Sequence, residues 1–400
     1  MRTTRARVLI LYLADVTKVA RVSRQATFLS REYDVILASP GRVTLPGVKL
    51  LTLPSIRAGG LHRAGESAVR LALRAVGRYG TAYWHDTGVK AVRQTLEQAL
   101  PVDAIVVNEL FALPLTRSLG DHVPIIFDAH EHWTSESASW NRLQRLSMRR
   151  AHEWIVDRFV PHTAGMMTVS EGIARDFSRR AGVSPVVVTN APFFESLKPS
   201  PVEAPLRLLH LGVADRRRRL EDTIAAVRSL DRRFTLDVVL VGNNGYRREL
   251  ERLADEDDRI RILPPVPVEE MVSFANGYDI GVFLLPAEFP NQIHVLPNKF
   301  FDYIQARLAV AIGPSPEMAK IVNEWNCGVV SESFSPDAFA SALRQLDANA
   351  VAGMKANAHK AANVLNADRN RDAVVSLVTA GIRTGNRTPV ASAVGADDVE

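Results

Sequence analysis

Short, mainly apolar runs alternate with helix-length segments along this chain. In the first half the runs fall at residues 8–14, 33–38, 50–53, 104–107, 125–127, 166–169 and 186–188, and they are rich in Val, Ile and Leu. A strand buried on both faces has no place for polar side chains, so runs this short and continuous predict parallel strands in βαβ units. A second series starts at 206–211 and continues at 236–241, 260–263, 280–285, 309–313 and 328–330. Helical patterns lie between them at 220–229, 247–254, 269–275, 299–305, 317–323 and 336–346. The predicted fold class is α/β, with two Rossmann-like, doubly wound domains. Pro192, Pro199, Pro201 and Pro205 interrupt both periods, because proline supplies no N–H to a ladder or helix. The boundary is therefore expected near residue 200, giving domains 1–200 and 201–364. The tail, 385–400, has no periodicity able to bury a face and is expected to be disordered.

Composition narrows the class. Four hundred residues exceed what one core usually organises, and 46% hydrophobic with 23% charged residues is the balance of a globular protein with two cores. Cys327 is the single cysteine, which excludes an intrachain disulfide, suggests no zinc cluster and fits a reducing cytoplasm. The first residues resemble a signal peptide, but Asp15 ends the apolar run without a cleavage signature, so a first buried strand is expected. No apolar stretch approaches the roughly 20 residues that cross a bilayer, which leaves peripheral contact as the expected membrane mode. A net charge of +5 permits anionic partners without choosing among them. Neither a Gly-x-Gly-x-x-Gly after the first strand nor a Walker loop is present, which argues against hydride transfer and P-loop hydrolysis. Nucleic-acid binding lacks aromatic interleaving. Asp255-Glu256-Asp257 has metal-binding spacing, but it sits in a charged connection and reads as solvated surface, so no metal or other cofactor is expected.

The most informative segment is Leu296-Pro-Asn-Lys-Phe-Phe-Asp-Tyr-Ile-Gln305. A Pro-Asn pair opening a helix gathers free N–H groups and the positive dipole end at one point, and Lys299 adds a cation. The same residues also describe an ordinary capped helix packing through Phe300, Phe301, Tyr303 and Ile304.

With this segment the chain resembles the retaining GT-B glycosyltransferases of the family-four-like group. Their second domain carries a Leu-Pro-Asn-Lys-x-Phe-Glu/Asp-Tyr helix followed by a strand and a Pro-Glu turn, here Ala309 to Met318. Similar motifs follow in register at Leu209-His-Leu-Gly212, Val239-Leu-Val-Gly-Asn243, Pro264 to Met271 and Tyr278-Asp-Ile-Gly-Val282. In the first domain they are Phe127-Asp-Ala-His-Glu131, Thr168-Val-Ser-Glu171 and Val188-Thr-Asn-Ala-Pro192. The resemblance implies a GT-B fold, with two Rossmann-like domains facing a central cleft and the C-terminal helices at about 365–384 bracing the first domain. It also implies transfer of a sugar, with retention, from a nucleoside-diphosphate sugar to an acceptor hydroxyl in polysaccharide or glycolipid assembly.

A leaving nucleoside diphosphate gains negative charge that cations and helix N-termini stabilise. By resemblance, Arg218 of the run Arg216–Arg219 and Lys299 meet the diphosphate, and His130, at a strand end, lies near the transferred sugar. Gly212, Arg219, Asn243, Val266, His294, Asn298, Asp302 and Glu317 complete the expected donor site. Asn108, Glu109 and Lys18 are the acceptor-side candidates. The family carries glutamates separated by seven residues; here Asp302 takes the second place but His294 takes the first, so donor identity does not transfer. The loop Ala14 to Lys18 lacks the glycine pair many relatives have.

Arg70, Arg74 and Arg78, and Arg142, Arg145 and Arg149, recur at helical spacing beside apolar residues. Such stripes suit docking on an anionic membrane surface, where a lipid-linked acceptor would be met, or simply face solvent. The expected partners are a nucleotide sugar and a carbohydrate or lipid-linked acceptor, and the expected location is the cytoplasm, at the inner face of the membrane. A nucleotide-sugar epimerase of the same fold and a non-catalytic sugar-nucleotide-binding protein remain as alternatives.

Overall fold

The computed structural model describes residues 5–55, 61–134, 142–287 and 290–385, excepting the side chains of residues 18, 61–66 and 290. The expected disordered tail beyond residue 385 lies outside the described residues. The chain divides into two compact units, Met1–Val188 with Asn370–Glu400, and Thr189–Arg369.

The first unit is built on one parallel sheet of seven strands: β1 (Arg7–Leu11), β2 (Asp34–Ser39), β3 (Val48–Thr52), β4 (Ala104–Val107), β5 (Ile125–Ala129), β6 (Gly165–Thr168) and β7 (Val186–Val187). Their order is β3-β2-β1-β4-β5-β6-β7, with Val8 opposite Val35 on β2 and Ala104 on β4. Val8, Leu9, Ile10 and Leu11 are all fully buried, which is why this run contains no polar residue. The direction of winding reverses between β1 and β4, and a crevice outside the strands' carboxyl ends is the usual ligand position at such a point.

The second unit repeats the design with β8 (Leu206–Val213), β9 (Phe234–Val241), β10 (Ile260–Leu263), β11 (Ile280–Phe283), β12 (Ala309–Ile312) and β13 (Gly328–Val330), in the order β10-β9-β8-β11-β12-β13. Alternate residues serve opposite faces. Leu208, Leu236, Val238 and Val282 enter one apolar cluster, while Leu209, Leu211, Val239 and Phe283 enter another with Phe300, Phe301, Tyr303 and Ile304. That second cluster seats the helix Asn298–Gln305 against the sheet. Gly281 on β11 makes the seating possible: a Cβ there would stand 2.3 to 2.6 Å from three carbons of the Tyr303 ring. The Tyr303 hydroxyl in turn accepts from the Leu211 N–H (2.9 Å) and donates to the Val282 carbonyl (3.3 Å), tying the helix to β8 and β11.

The prolines near residue 200 mark a connection, but that connection belongs to the second unit, which begins at Thr189. Two buried cations hold it there. Arg307 donates to the Glu195 carbonyl, and the Lys355 Nζ donates to Ser200 Oγ (2.8 Å) and the Tyr278 carbonyl (2.7 Å). At the far end, the Ala367 N–H donates to the Pro192 carbonyl (2.7 Å) and the Phe194 N–H to Asp368 (3.0 Å), so the chain returns to the first unit at residue 370 rather than 365. The last helix, Ala367–Thr384, then packs Leu377 over Gly165 and bonds Thr379 Oγ1 to Tyr33 Oη at 2.6 Å. The helix before it, Ala348–Ala362, carries Lys355 and stays with the second unit. Among the described residues no helix is long and apolar enough to cross a membrane.

Gly281→Ala should therefore unseat Tyr303 and cost about 1–3 kcal/mol, as overpacking of a filled core does. Thermal unfolding checks this, and a variant with unchanged Tm would show that the helix does not depend on the missing Cβ.

Candidate active site

The carboxyl end of β8 in the second unit is where unmet charge collects. Strand pairing places β8 beside β11, at the point where the order reverses. His210 and Gly212 share one face of β8, since side chains alternate along a strand. His210 is 1% exposed; its Nδ1 lies 3.1 Å from the Val282 carbonyl, and its Nε2 is buried without a hydrogen-bond partner among the described residues. Lys299, in the first turn of the helix Asn298–Gln305, reaches the same place. A Cβ on Gly212 would stand 2.8 Å from His210 Nε2 and 3.1 Å from Lys299 Nζ. Lys299 Nζ is also buried without a partner and sits 5.0 Å from the centre of the Phe283 ring.

The electrostatics follow from this burial. Desolvation, then the Arg218 charge, hold the Lys299 ammonium well below the usual lysine pKa, against the opposing pull of Asp302. Burial followed by the Lys299 and Arg218 charges likewise holds His210 well below an ordinary imidazole. Arg218 is itself lowered by burial. A site that crowds three cationic or protonatable groups around a glycine is one that an anion would relieve.

The four arginines after Gly212 separate as the geometry requires. Arg216 pairs with Glu249, Arg217 with Asp215 (2.6 Å) and Arg219 with Asp222 (2.8 Å), and all three are exposed. Arg218 is half-buried and makes no ion pair among the described residues. Arg219, expected in the donor site, instead adopts a left-handed φ of 47° at the start of the helix Leu220–Arg228 and is held by its own first turn.

The other donor-side candidates are spread around the sheet's carboxyl edge. His294 Nδ1 lies 3.6 Å from Glu317 Oε1, and Glu317 is buried in the first turn of the helix Pro316–Trp325. Asn298 is exposed at the first position of its helix, and Asp302 is half-buried one turn on. Asn243 is exposed just beyond β9, while Val266 packs partly into the apolar cluster under the Lys299 helix.

In the first unit His130 ends a closed chain of hydrogen bonds. The Arg21 guanidinium grips Asp128 through Nε (2.8 Å) and Nη2 (2.7 Å) and donates Nη1 to the Val188 carbonyl (2.6 Å). Gln25 Nε2 donates to Asp128 (3.0 Å), Asn108 Nδ2 to Gln25 Oε1 (2.9 Å), and His130 Nε2 meets Asn108 Oδ1 at 2.9 Å. With Nε2 bonded to the amide oxygen and 3.4 Å from Asp128, the ring is fixed in orientation and leaves Nδ1 for a ligand. Burial opposes charge on Asp128, but Arg21 and His130 outweigh it and hold the carboxyl below its ordinary range. Glu109 accepts from the Leu13 N–H at 3.1 Å, so this acceptor-side candidate also braces the loop after β1. That loop turns through the short helix Val16–Lys18, capped by Asp15 in place of a glycine pair. The Lys18 side chain lies outside the described residues.

Residues 205–349 match the family model described as "Glycosyl transferases group 1". This segment is similar to that family. Solved structures agree on the fold across both units. The chain is similar to HepE of Anabaena, solved in complex with UDP and glucose (14% identity, TM-score 0.67, covering 94% of this chain and 99% of that one). It is similar to sucrose-phosphate synthase of Thermosynechococcus elongatus (13%, TM-score 0.70, 94% and 98%) and to WaaG, a glycosyltransferase involved in lipopolysaccharide biosynthesis (15%, TM-score 0.60, 95% and 100%). At these identities the likeness establishes the GT-B fold. No curated protein matches the sequence.

Sequence reading overlooked His210 in the second unit and Arg21 and Gln25 in the first. The signal for His210 was its place two residues before Gly212; for Arg21 it was a cation inside an otherwise buried helix face. The basic stripes also change. Arg70 turns to Asp86, which caps the helix Thr87–Leu96, and Arg74 to Met148 Sδ (3.0 Å), where the helices Leu61–Ala75 and Arg142–Phe159 pack together; of that first trio only Arg78 stays exposed.

Arg21→Met leaves Asp128 buried without its cation and should cost about 3–5 kcal/mol. The stability that Arg21 lends through Asp128 is present above the carboxyl's ordinary range and is lost as pH falls through its lowered value, so the variant should lose the share of acid-dependent unfolding that this pair supplies. Denaturant titrations of both proteins at neutral and acid pH test this, and equal stability at neutral pH would refute it.

Proposed function

We propose that the protein is a metal-independent, retaining hexosyltransferase that moves a sugar from a nucleoside diphosphate to an acceptor hydroxyl during polysaccharide or glycolipid assembly. The observation that carries this reading is the buried, unpartnered Lys299 Nζ beside Gly212 and Arg218 at the carboxyl end of β8. A diphosphate there meets two cations and the N-terminus of the Lys299 helix as its charge grows on departure, and each interaction strengthens along the reaction. The charge needs no metal under this reading because those groups neutralise it. His294 and Glu317 would contact the donor sugar, and Asp302 the ribose. His130, held by its hydrogen-bond chain, would position the transferred sugar, with Asn108, Glu109 and Lys18 on the acceptor side. Retention rests on the motif resemblance. The UDP in the HepE structure makes uracil the first base to test, and the involvement of WaaG in lipopolysaccharide biosynthesis favours a glycolipid acceptor.

A peripheral position on the inner face of an anionic membrane belongs to the same proposal. Leu143 (62% exposed), Leu146 (51%) and Val69 (45%) stand out from two packed helices of the first unit and Val76 (72%) from the turn after one of them, among the exposed Arg78, Arg142, Arg149 and Arg150. Apolar side chains ringed by arginines suit insertion into the headgroup region.

Thermal-shift measurements with UDP, GDP, ADP and their sugars should give a rise in Tm with one base, abolished by Lys299→Ala and reduced at least tenfold in affinity by Arg218→Ala, about the 1.4 kcal/mol or more that a charge-assisted contact supplies. No rise with any nucleotide removes the donor-site assignment. The protein should also co-sediment with anionic but not neutral liposomes, and Leu143→Asp with Leu146→Asp should release it. Sedimentation that is absent or indifferent to these changes argues against the membrane position.

A further inference from the structure

His210 stands beside Lys299 and Gly212, and a role for it in binding rests on the reading of that place as the diphosphate site. A carbonyl can only accept, so the 3.1 Å contact with Val282 requires the proton of the neutral ring to sit on Nδ1. The other nitrogen, Nε2, then presents a bare lone pair, buried and unpartnered, to the space over Gly212 that Lys299 Nζ also faces. An incoming phosphate oxygen would meet that lone pair with repulsion. One added proton converts it into a donor, and both ring nitrogens are then satisfied, Nδ1 by Val282 and Nε2 by the anion.

The groups around the ring explain why the proton waits for the ligand. Lys299 and Asp302 face this region from the helix Asn298–Gln305, with the Tyr303 hydroxyl beside them. Arg218 faces it from the turn after β8, accompanied by Asp215 and Arg217. β11 contributes the Val282 carbonyl and the Phe283 ring, whose plane lies 9° from that of His210 with centroids 6.5 Å apart. In the free protein the nearby cations and burial oppose a second positive charge. A diphosphate neutralises those cations and reverses the balance.

We propose that His210 is an anion-binding residue of the donor site, neutral in the free protein and protonated at Nε2 by solvent as the diphosphate enters, so that nucleotide binding takes up a proton. The sign is fixed by linkage: a group whose proton affinity rises on binding makes the complex tighter at lower pH, and affinity falls as pH rises through the bound-state value. A nucleotide's own ionisation gives the opposite trend, since the more anionic form binds cations better.

The test is isothermal titration of the full chain with UDP, GDP and ADP in buffers of different ionisation enthalpy, which counts protons directly. Wild-type protein near neutral pH should take up more protons per bound nucleotide than His210→Phe or His210→Gln, by between about half and one. Its Kd should weaken by up to about tenfold per pH unit above neutrality relative to both variants. Two non-titrating replacements guard against one that fails to fold. Wild-type uptake no greater than that of either variant overturns the inference, and leaves the donor site standing if Lys299→Ala still abolishes binding. Failure of every nucleotide to bind wild-type protein overturns the donor-site reading and this inference together.

Discussion

An ammonium buried without a hydrogen-bond acceptor opposes folding, and the second unit keeps one at Lys299. Much of the surrounding structure serves to hold that nitrogen in place. Tyr303, one turn along the same helix, is bonded to both β8 and β11, so the helix cannot slide outward to hydrate its lysine. Gly281 admits the Tyr303 ring, and Gly212 leaves room for the lysine tip and the His210 ring. Two residues without side chains and one phenol thus keep a cation aimed at a single point. Stability lost at such a point is returned when an anion arrives, and preorganised charge is what stabilises a departing diphosphate.

The first unit handles polar burial in the opposite way. Arg21, Asp128, Gln25, Asn108 and His130 form a chain in which each donor has an acceptor, so the network is rigid and self-sufficient. Such a chain fixes the orientation of His130 without storing affinity for a ligand. The contrast assigns different tasks to two histidines: His130 is an oriented ring at a strand end, while His210 carries a nitrogen that only a change of protonation or a ligand can satisfy.

The strands, their parallel pairing and the α/β class were legible because buried parallel strands are mostly apolar, with isolated polar residues such as Asp128, His210 and Asp237. The Lys299 helix was legible through Pro297 and Asn298, which mark a helix start. The boundary was less so. Proline content pointed to residue 200, yet the partners that assign the connection to the second unit, Arg307 and Lys355, lie more than a hundred residues away in sequence. The fate of Arg70 and Arg74 was hidden for a similar reason: helical spacing places them on one stripe, but their partners, Asp86 and Met148, come from two other helices.

His210 shows most clearly where one-dimensional reading ends. Its residue type and its offset from Gly212 were visible, but a histidine inside an apolar strand reads equally well as a satisfied core residue. What separates the two meanings is which nitrogen is bonded and what the other one faces. The Val282 carbonyl belongs to a neighbouring strand and Lys299 to a helix almost ninety residues on, and the two meet at His210 because β8 pairs with β11 at the reversal point of the sheet. The winding order of the strands therefore decides what the unbonded nitrogen of this side chain faces, and the role proposed for His210 depends on that placement.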